Sequence, residues 1–149
     1  MLAANHTIVA GVAGSYIGNP FLAFLAGIII HFILDTIPHF DTTDKGEFTT
    51  RQIALVLIDF LIGLFIIFGI LHIKIDPSSP FIWGAVGGNL PDVLDNIPFW
   101  KDRFRGTGIG ARVHSLHELI HGKAFDAKPV LGMLTQYIII ALFVWLYFL

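Results

Sequence analysis

The chain has 149 residues, 55% of them hydrophobic and only 13% charged, with a mean hydropathy of +0.76 and a formal net charge of −2. The length suits one domain, the charged share is about half the soluble norm, and no basic stripe interleaved with aromatics points to nucleic acid. Cysteine is absent, which excludes disulfides, thiol nucleophiles and thiolate ligands, so any metal must be held by nitrogen and oxygen donors.

In chain order, a first helix is expected over 6–18, rich in Ala, Gly and Val. It has no basic start, which argues against a cleavable signal peptide. Asn19-Pro20 breaks it, because the residue before proline is pushed out of the helical region while proline suits a new first turn. A second helix is expected over 20–37, stopping at Pro38, followed by a polar loop that carries Asp41, Asp44, Lys45 and Glu47. A third helix spans 51–73, and Asp76-Pro77-Ser78-Ser79-Pro80 reads as a tight turn. A fourth covers 81–96 and ends before Pro98. A basic segment and a glycine-bearing loop at 106–110 lead to a short helix over 111–121, and a last helix starts after Pro129. The apolar runs at 52–73 and 129–149 approach the ~20 residues that cross a bilayer. The fold expected is an all-α polytopic membrane protein of about five transmembrane helices plus a short cytoplasmic helix, forming one membrane-embedded domain over 1–149.

A weak internal repeat runs through it. Residues 27–38 (GIIIHFILDTIP) align with 87–98 (GGNLPDVLDNIP) at an offset of 60, with Gly27/Gly87, Leu34/Leu94, Asp35/Asp95, Ile37/Ile97 and Pro38/Pro98 identical. Such a repeat would set Asp35 and Asp95 at equivalent depths across a pseudo-twofold axis, and membrane proteins often build sites at repeat interfaces. Charge supplies a topology. If five helices alternate, Lys45, Arg51, Lys101, Arg103, Arg105, Arg112, Lys123 and Lys128 share one side, and only Lys74 lies on the other. The basic side is then cytoplasmic, and most of the histidines and acids lie on or near it, with His72 alone at the opposite face.

These residues fall into clusters at helical spacing. His31, Asp35 and His39 form one stripe, Asp92 and Asp95 a second, and His114, His117, Glu118 and His121 a third, with His6 near the first helix start. Imidazoles and carboxylates four residues apart on a helix are what a divalent ion requires. Ionisable groups inside a membrane segment are costly and mark function by default. The plainer alternative is a polar stripe hydrogen-bonding neighbouring helices. Asp59, two turns inside the third helix, either orients a ligand imidazole or bonds a neighbouring helix. No nucleophile elbow is present, and the glycines at 84–88 follow no strand and lack a P-loop lysine.

His6 before a glycine-rich helix, the run Gly-x-Leu-Pro-Asp-x-x-Asp over 88–95, and His114-Ser115 together resemble the YdjM-type membrane-bound metal-dependent hydrolases. That family is distantly similar to zinc-dependent phospholipase C, all-helical enzymes with His-x3-Asp and His-x3-Glu ligands; here His31/Asp35 and His114/Glu118 match those pairs. The chain departs from the family where its His-Arg-Gly element is replaced by Arg105-Gly106-Thr107, and in carrying His31 and His39. The resemblance implies a membrane-bound hydrolase acting on a phosphoester, in a lipid or lipid-linked substrate, through a metal-activated water. The ligand pool is His6, His31, Asp35, His39, Asp92, Asp95, His114, Glu118, His117 and His121, around one or more divalent ions, zinc first. Asp35 is the carboxylate on which catalysis depends, and Asp41 is the candidate base. The rival readings are a metal- or proton-coupled transporter and a non-catalytic protein stabilised by metal.

Overall fold

A computed structural model of the chain describes residues 1–40, 49–97, 99–121 and 129–149, the side chains of 51, 52, 121 and 129 excepted. Asp41 and the loop around it lie outside the described residues, as does the side chain of His121. The extended elements among the described residues are all helices, in the order α1 (Ala3–Ile17), α2 (Pro20–Asp35), α3 (Thr50–Leu64), a π-helical continuation (Phe65–Ile70), α4 (Pro80–Asn96), α5 (Lys101–Arg105), α6 (Gly108–His121) and α7 (Pro129–Tyr147).

The helix ends follow local chemistry. α1 stops at Gly18, whose φ of 72° returns its N–H to the Gly14 carbonyl. Asn19 then caps α2 by accepting the Leu22 N–H at 3.0 Å, with Pro20 in the first turn. The expected turn before α4 is held by Asp76, whose Oδ1 accepts both the N–H and the hydroxyl of Ser78 at 2.8 Å. Those bonds hold the exposed Asp76 carboxyl below the usual carboxylate range. The expected third helix is present, but its last part is wound as a π-helix, with the Leu71 N–H on the Ile66 carbonyl at 2.8 Å. It ends at His72, which has a φ of 52°. α5 was not anticipated: Lys101, Arg103 and Arg105 fill a single turn that the sequence presents as a basic connection.

α4 lies against both α1 and α2, and glycine makes this possible. A Cβ at Gly27 would collide with the Gly84 carbonyl oxygen and sit 2.8 Å from the Gly88 nitrogen. A Cβ at Gly87 would collide with the Phe24 carbonyl. Phe24 and Gly84 are themselves 60 residues apart, so the two contacts are equivalent under the repeat, which extends to Pro20-Phe21 and Pro80-Phe81. Gly88 meets α1 in the same manner, where a Cβ would stand 2.7 Å from that of Ala10. Ile8, Val12 and Phe81 fill the space below.

α3 and α7 flank this core and, among the described residues, are the helices long and apolar enough to cross a membrane, over Ile53–Ile70 and Val130–Tyr147. Two such helices are fewer than the five or so spans expected. α1, α2 and α4 have 15, 16 and 17 residues. At 1.5 Å per residue that is about 23–26 Å, less than the ~30 Å hydrocarbon layer, because glycine and proline end each helix early.

The outer helices are tied to α1 by polar groups. Leu2, at the N-cap of α1, has no side-chain acceptor to offer, so the first amides are satisfied from elsewhere. Asp59 of α3 accepts the Ala4 N–H at 3.1 Å, and Gln136 of α7 accepts the Leu2 N–H at 2.8 Å. Of the two roles open to Asp59, bonding a neighbouring helix is the one seen. At the far end the Tyr16 hydroxyl bonds the Leu146 carbonyl.

The glycine crossing gives a direct test. Gly27→Ala is expected to lower stability by about 1–3 kcal/mol through overpacking. Gly108→Ala, where a Cβ would meet nothing within 4 Å, should change it by less than about 0.5 kcal/mol. Thermal unfolding in detergent compares the two.

Candidate metal centre

Because α1, α2 and α4 approach so closely, side chains one or two turns beyond the glycines converge. His6 comes from α1, His31 and Asp35 from α2, Asp92 from α4, and His117 arrives from α6. His6, His31 and Asp35 place one ligand atom each within 4.8 Å of one another, and His31, Asp92 and His117 do the same. His6 Nε2 is 3.3 Å from Asp35 Oδ1, and His31 Nε2 is 3.2 Å from Asp35 Oδ2. Asp92 spans the two groups, with Oδ2 4.0 Å from His6 Nε2 and Oδ1 3.8 Å from the Nε2 atoms of both His31 and His117. His6, His31 and Asp35 are wholly buried and His117 nearly so, whereas the Asp92 side chain is 29% exposed. The rings of His6 and His31 stack at 4.2 Å.

The hydrogen bonds behind the imidazoles decide what faces the centre. His31 Nδ1 lies 2.8 Å from the Gly88 carbonyl oxygen, which only accepts, so Nδ1 carries the proton. His117 Nδ1 lies 3.1 Å from Asp95 Oδ2, so it is protonated as well. Each neutral ring is left with a lone pair on Nε2, and these two nitrogens are 2.8 Å apart. Two lone pairs at that distance repel unless a cation or a proton lies between them. His6, completely buried, has no hydrogen-bond partner of good geometry on either ring nitrogen among the described residues, a costly state for a polar group. Ligand atoms sharing an ion at ~2.0–2.1 Å stand roughly 2.9–3.4 Å apart. His6, His31 and Asp35 could hold a metal ion on distance and donor type, whereas Asp92, at 3.8–4.0 Å, would have to move closer to join them.

The candidate pool is thereby sorted. Asp95 is buried but stands behind His117, bridging it to His114 Nδ1 at 3.1 Å and to Arg105 Nε at 2.8 Å. It is not placed opposite Asp35 at the centre, as the repeat suggested. His114, one-third exposed, meets Asp95 and belongs to neither group. Glu118 is exposed and makes no ion pair with these residues among those described, so it too lies outside both groups. α6 turns Gly110, His114 and His117 inward, and Glu118, one turn beyond His114, stays on the neighbouring exposed flank. His39 is buried after Pro38 with Nδ1 2.8 Å from the Ile37 carbonyl oxygen, outside both groups. His72 is exposed at the far end.

Sequence reasoning missed Arg105 and Gln136. A lone amide within the 19-residue apolar α7 was a signal for Gln136; nothing in the sequence marked Arg105 as the residue that meets Asp95.

Nitrogen-15 NMR of protein stripped of metal tests the tautomers: His31 and His117 should both be protonated on Nδ1 at neutral pH. Protonation on Nε2 of either ring in its neutral form would remove the argument. No family model, curated protein or solved structure matches the chain.

Proposed function

We propose that the protein is a membrane-embedded, metal-dependent hydrolase of a phosphoester in a lipid or lipid-linked substrate, of the YdjM-type family that its motifs resemble. The observation that carries this reading is the convergence of two imidazole lone pairs with the carboxylates of Asp35 and Asp92, at a centre whose partly exposed side is Asp92. His6, His31, Asp35, Asp92 and His117 would hold the ion, with zinc the best match to a nitrogen-rich set. An ion bound there supplies a Lewis acid for a phosphoryl oxygen and lowers the pKa of a nearby water.

The chain's own residues do the rest. Asp95 and the Gly88 carbonyl fix the tautomers of His117 and His31. Arg105 and His114, about one-third exposed, place donors near the rim where an anionic phosphoester would approach. Asp41 remains the candidate base. A lipid-linked substrate is favoured by an apolar groove of about 390 Å³ between α1, the π-helical segment and α4. Thr7 and Val93, the chain neighbours of His6 and Asp92, both line it. The bilayer placement is supported by α3 and α7, and the eight-to-one split of Lys and Arg favours five helical crossings with the metal face cytoplasmic.

Purified protein is expected to carry near-stoichiometric zinc or a similar divalent ion by elemental analysis. Asp95→Asn, which weakens the bond that orients His117, should reduce metal affinity roughly 10–100-fold. Protein without bound metal, or with metal affinity unchanged in both Asp35→Asn and Asp95→Asn, would remove the centre.

The hydrolase itself is tested in proteoliposomes against a panel of lipid phosphoesters. Wild-type protein should cleave at least one, chelation should stop it and zinc restore it, and Asp35→Asn should lower turnover by orders of magnitude while the protein stays inserted. Metal or proton flux with no cleavage of any member would replace the hydrolase by a transporter.

A further inference from the structure

We infer that the outer flank of α5 and α6 is a docking face for the headgroup layer of an anionic bilayer, so that the helix carrying His117 lies on the membrane surface. This rests on the bilayer placement proposed above and does not depend on hydrolysis. α6 has 14 residues, including three histidines and Glu118, and is too short and polar to cross a membrane. Yet Ile109 is 73% exposed, Leu119 54% and Leu116 41%. With Arg112 they recur at the spacing of one helical stripe. Ala111, Ser115 and Glu118 form a second exposed strip, small and polar. A helix with one flank on its own protein, a second apolar and a third polar matches a helix lying in an interface, its apolar side toward the acyl boundary.

The approach to this helix repeats the pattern. Phe99 is 92% exposed beside Trp100, whose indole N–H is turned back onto the Val93 carbonyl at 2.8 Å. Aromatic residues of this kind are enriched at membrane–water boundaries. Lys101, Arg103 and Arg112 have no ion-pair partner among the described residues, while Arg105 is engaged by Asp95. Exposed aliphatic and aromatic groups edged by uncommitted cations complement anionic lipid, and each such cation favours the surface by about fivefold. Asp102 and Glu118, also exposed, temper this attraction without cancelling it.

The chain's lack of cysteine makes single spin labels straightforward. The full-length protein would be labelled in separate variants at Ile109→Cys, Leu116→Cys, Ser115→Cys and Leu57→Cys, then placed in nanodiscs of neutral lipid with and without anionic lipid. Expected is preferential collision with oxygen at 109 and 116, with a water-soluble nickel complex at 115, and deep burial in hydrocarbon at 57. Anionic lipid should increase the seated population, and the combined Lys101→Glu, Arg103→Glu and Arg112→Glu changes should abolish that increase.

If 109 and 116 report water while 57 reports hydrocarbon, the docking face is overturned and the bilayer placement survives. Water at 57 overturns both. Labels at 109 and 116 shielded from oxygen and nickel alike would mean a protein partner or a second copy, and would overturn the lipid assignment. An unchanged response in the charge-reversed protein would overturn the anionic preference.

Discussion

The contact of α4 with α1 and α2 through bare backbone determines almost everything else. With Gly27, Gly84, Gly87 and Gly88 at the crossings, carbonyl oxygens of one helix lie where side chains would otherwise stand on the next. This brings the helix axes close enough for short imidazole and carboxylate side chains to meet in the middle. His6, His31, Asp35 and Asp92 are then neighbours by consequence of the packing. The same closeness turns the Gly88 carbonyl into the partner of His31 Nδ1. A residue placed for packing thus also fixes a tautomer.

The outer shell follows a different logic. α3 and α7 expose apolar side chains over most of their length, and apolar contact with α1 gives little preference over lipid inside a bilayer. Asp59 and Gln136 supply what apolar packing does not, by accepting amide protons at the unpaired start of α1. These bonds bind both helices to the helix that carries His6. Loss of either acceptor would leave a buried N–H unsatisfied.

Much of this was legible in the sequence, and the limits have physical causes. Proline, glycine and asparagine mark the ends of α1, α2 and α4 closely, because each acts through local backbone geometry. The candidate metal centre was visible as a pool of residues, since histidines and acids stand out in so apolar a chain. Its composition was not legible. Spacing along α6 offered His114/Glu118 and His117/His121 equally, and only the rotation of that helix against α2 and α4 selects His117. Asp92 and Asp95 are equivalent as carboxylates on the fourth helix, yet one joins the centre and the other stands behind an imidazole. The helix ends were legible, but which helices are long enough to cross a bilayer alone depends on their length, and α3 and α7 meet that measure among the described residues.

The partial exposure of Asp92 has a kinetic meaning. Four of the five converging side chains are sealed inside the helices, and only this carboxylate has substantial contact with solvent. Among the described residues, this is the one oxygen-bearing group of the five through which a bound ion would meet solvent. Tightness at equilibrium and speed of exchange become separate properties. For an ion held there, the buried imidazoles would set the first and the partly exposed aspartate the second. An ion held there would exchange slowly, so a chelator would need long exposure to strip it.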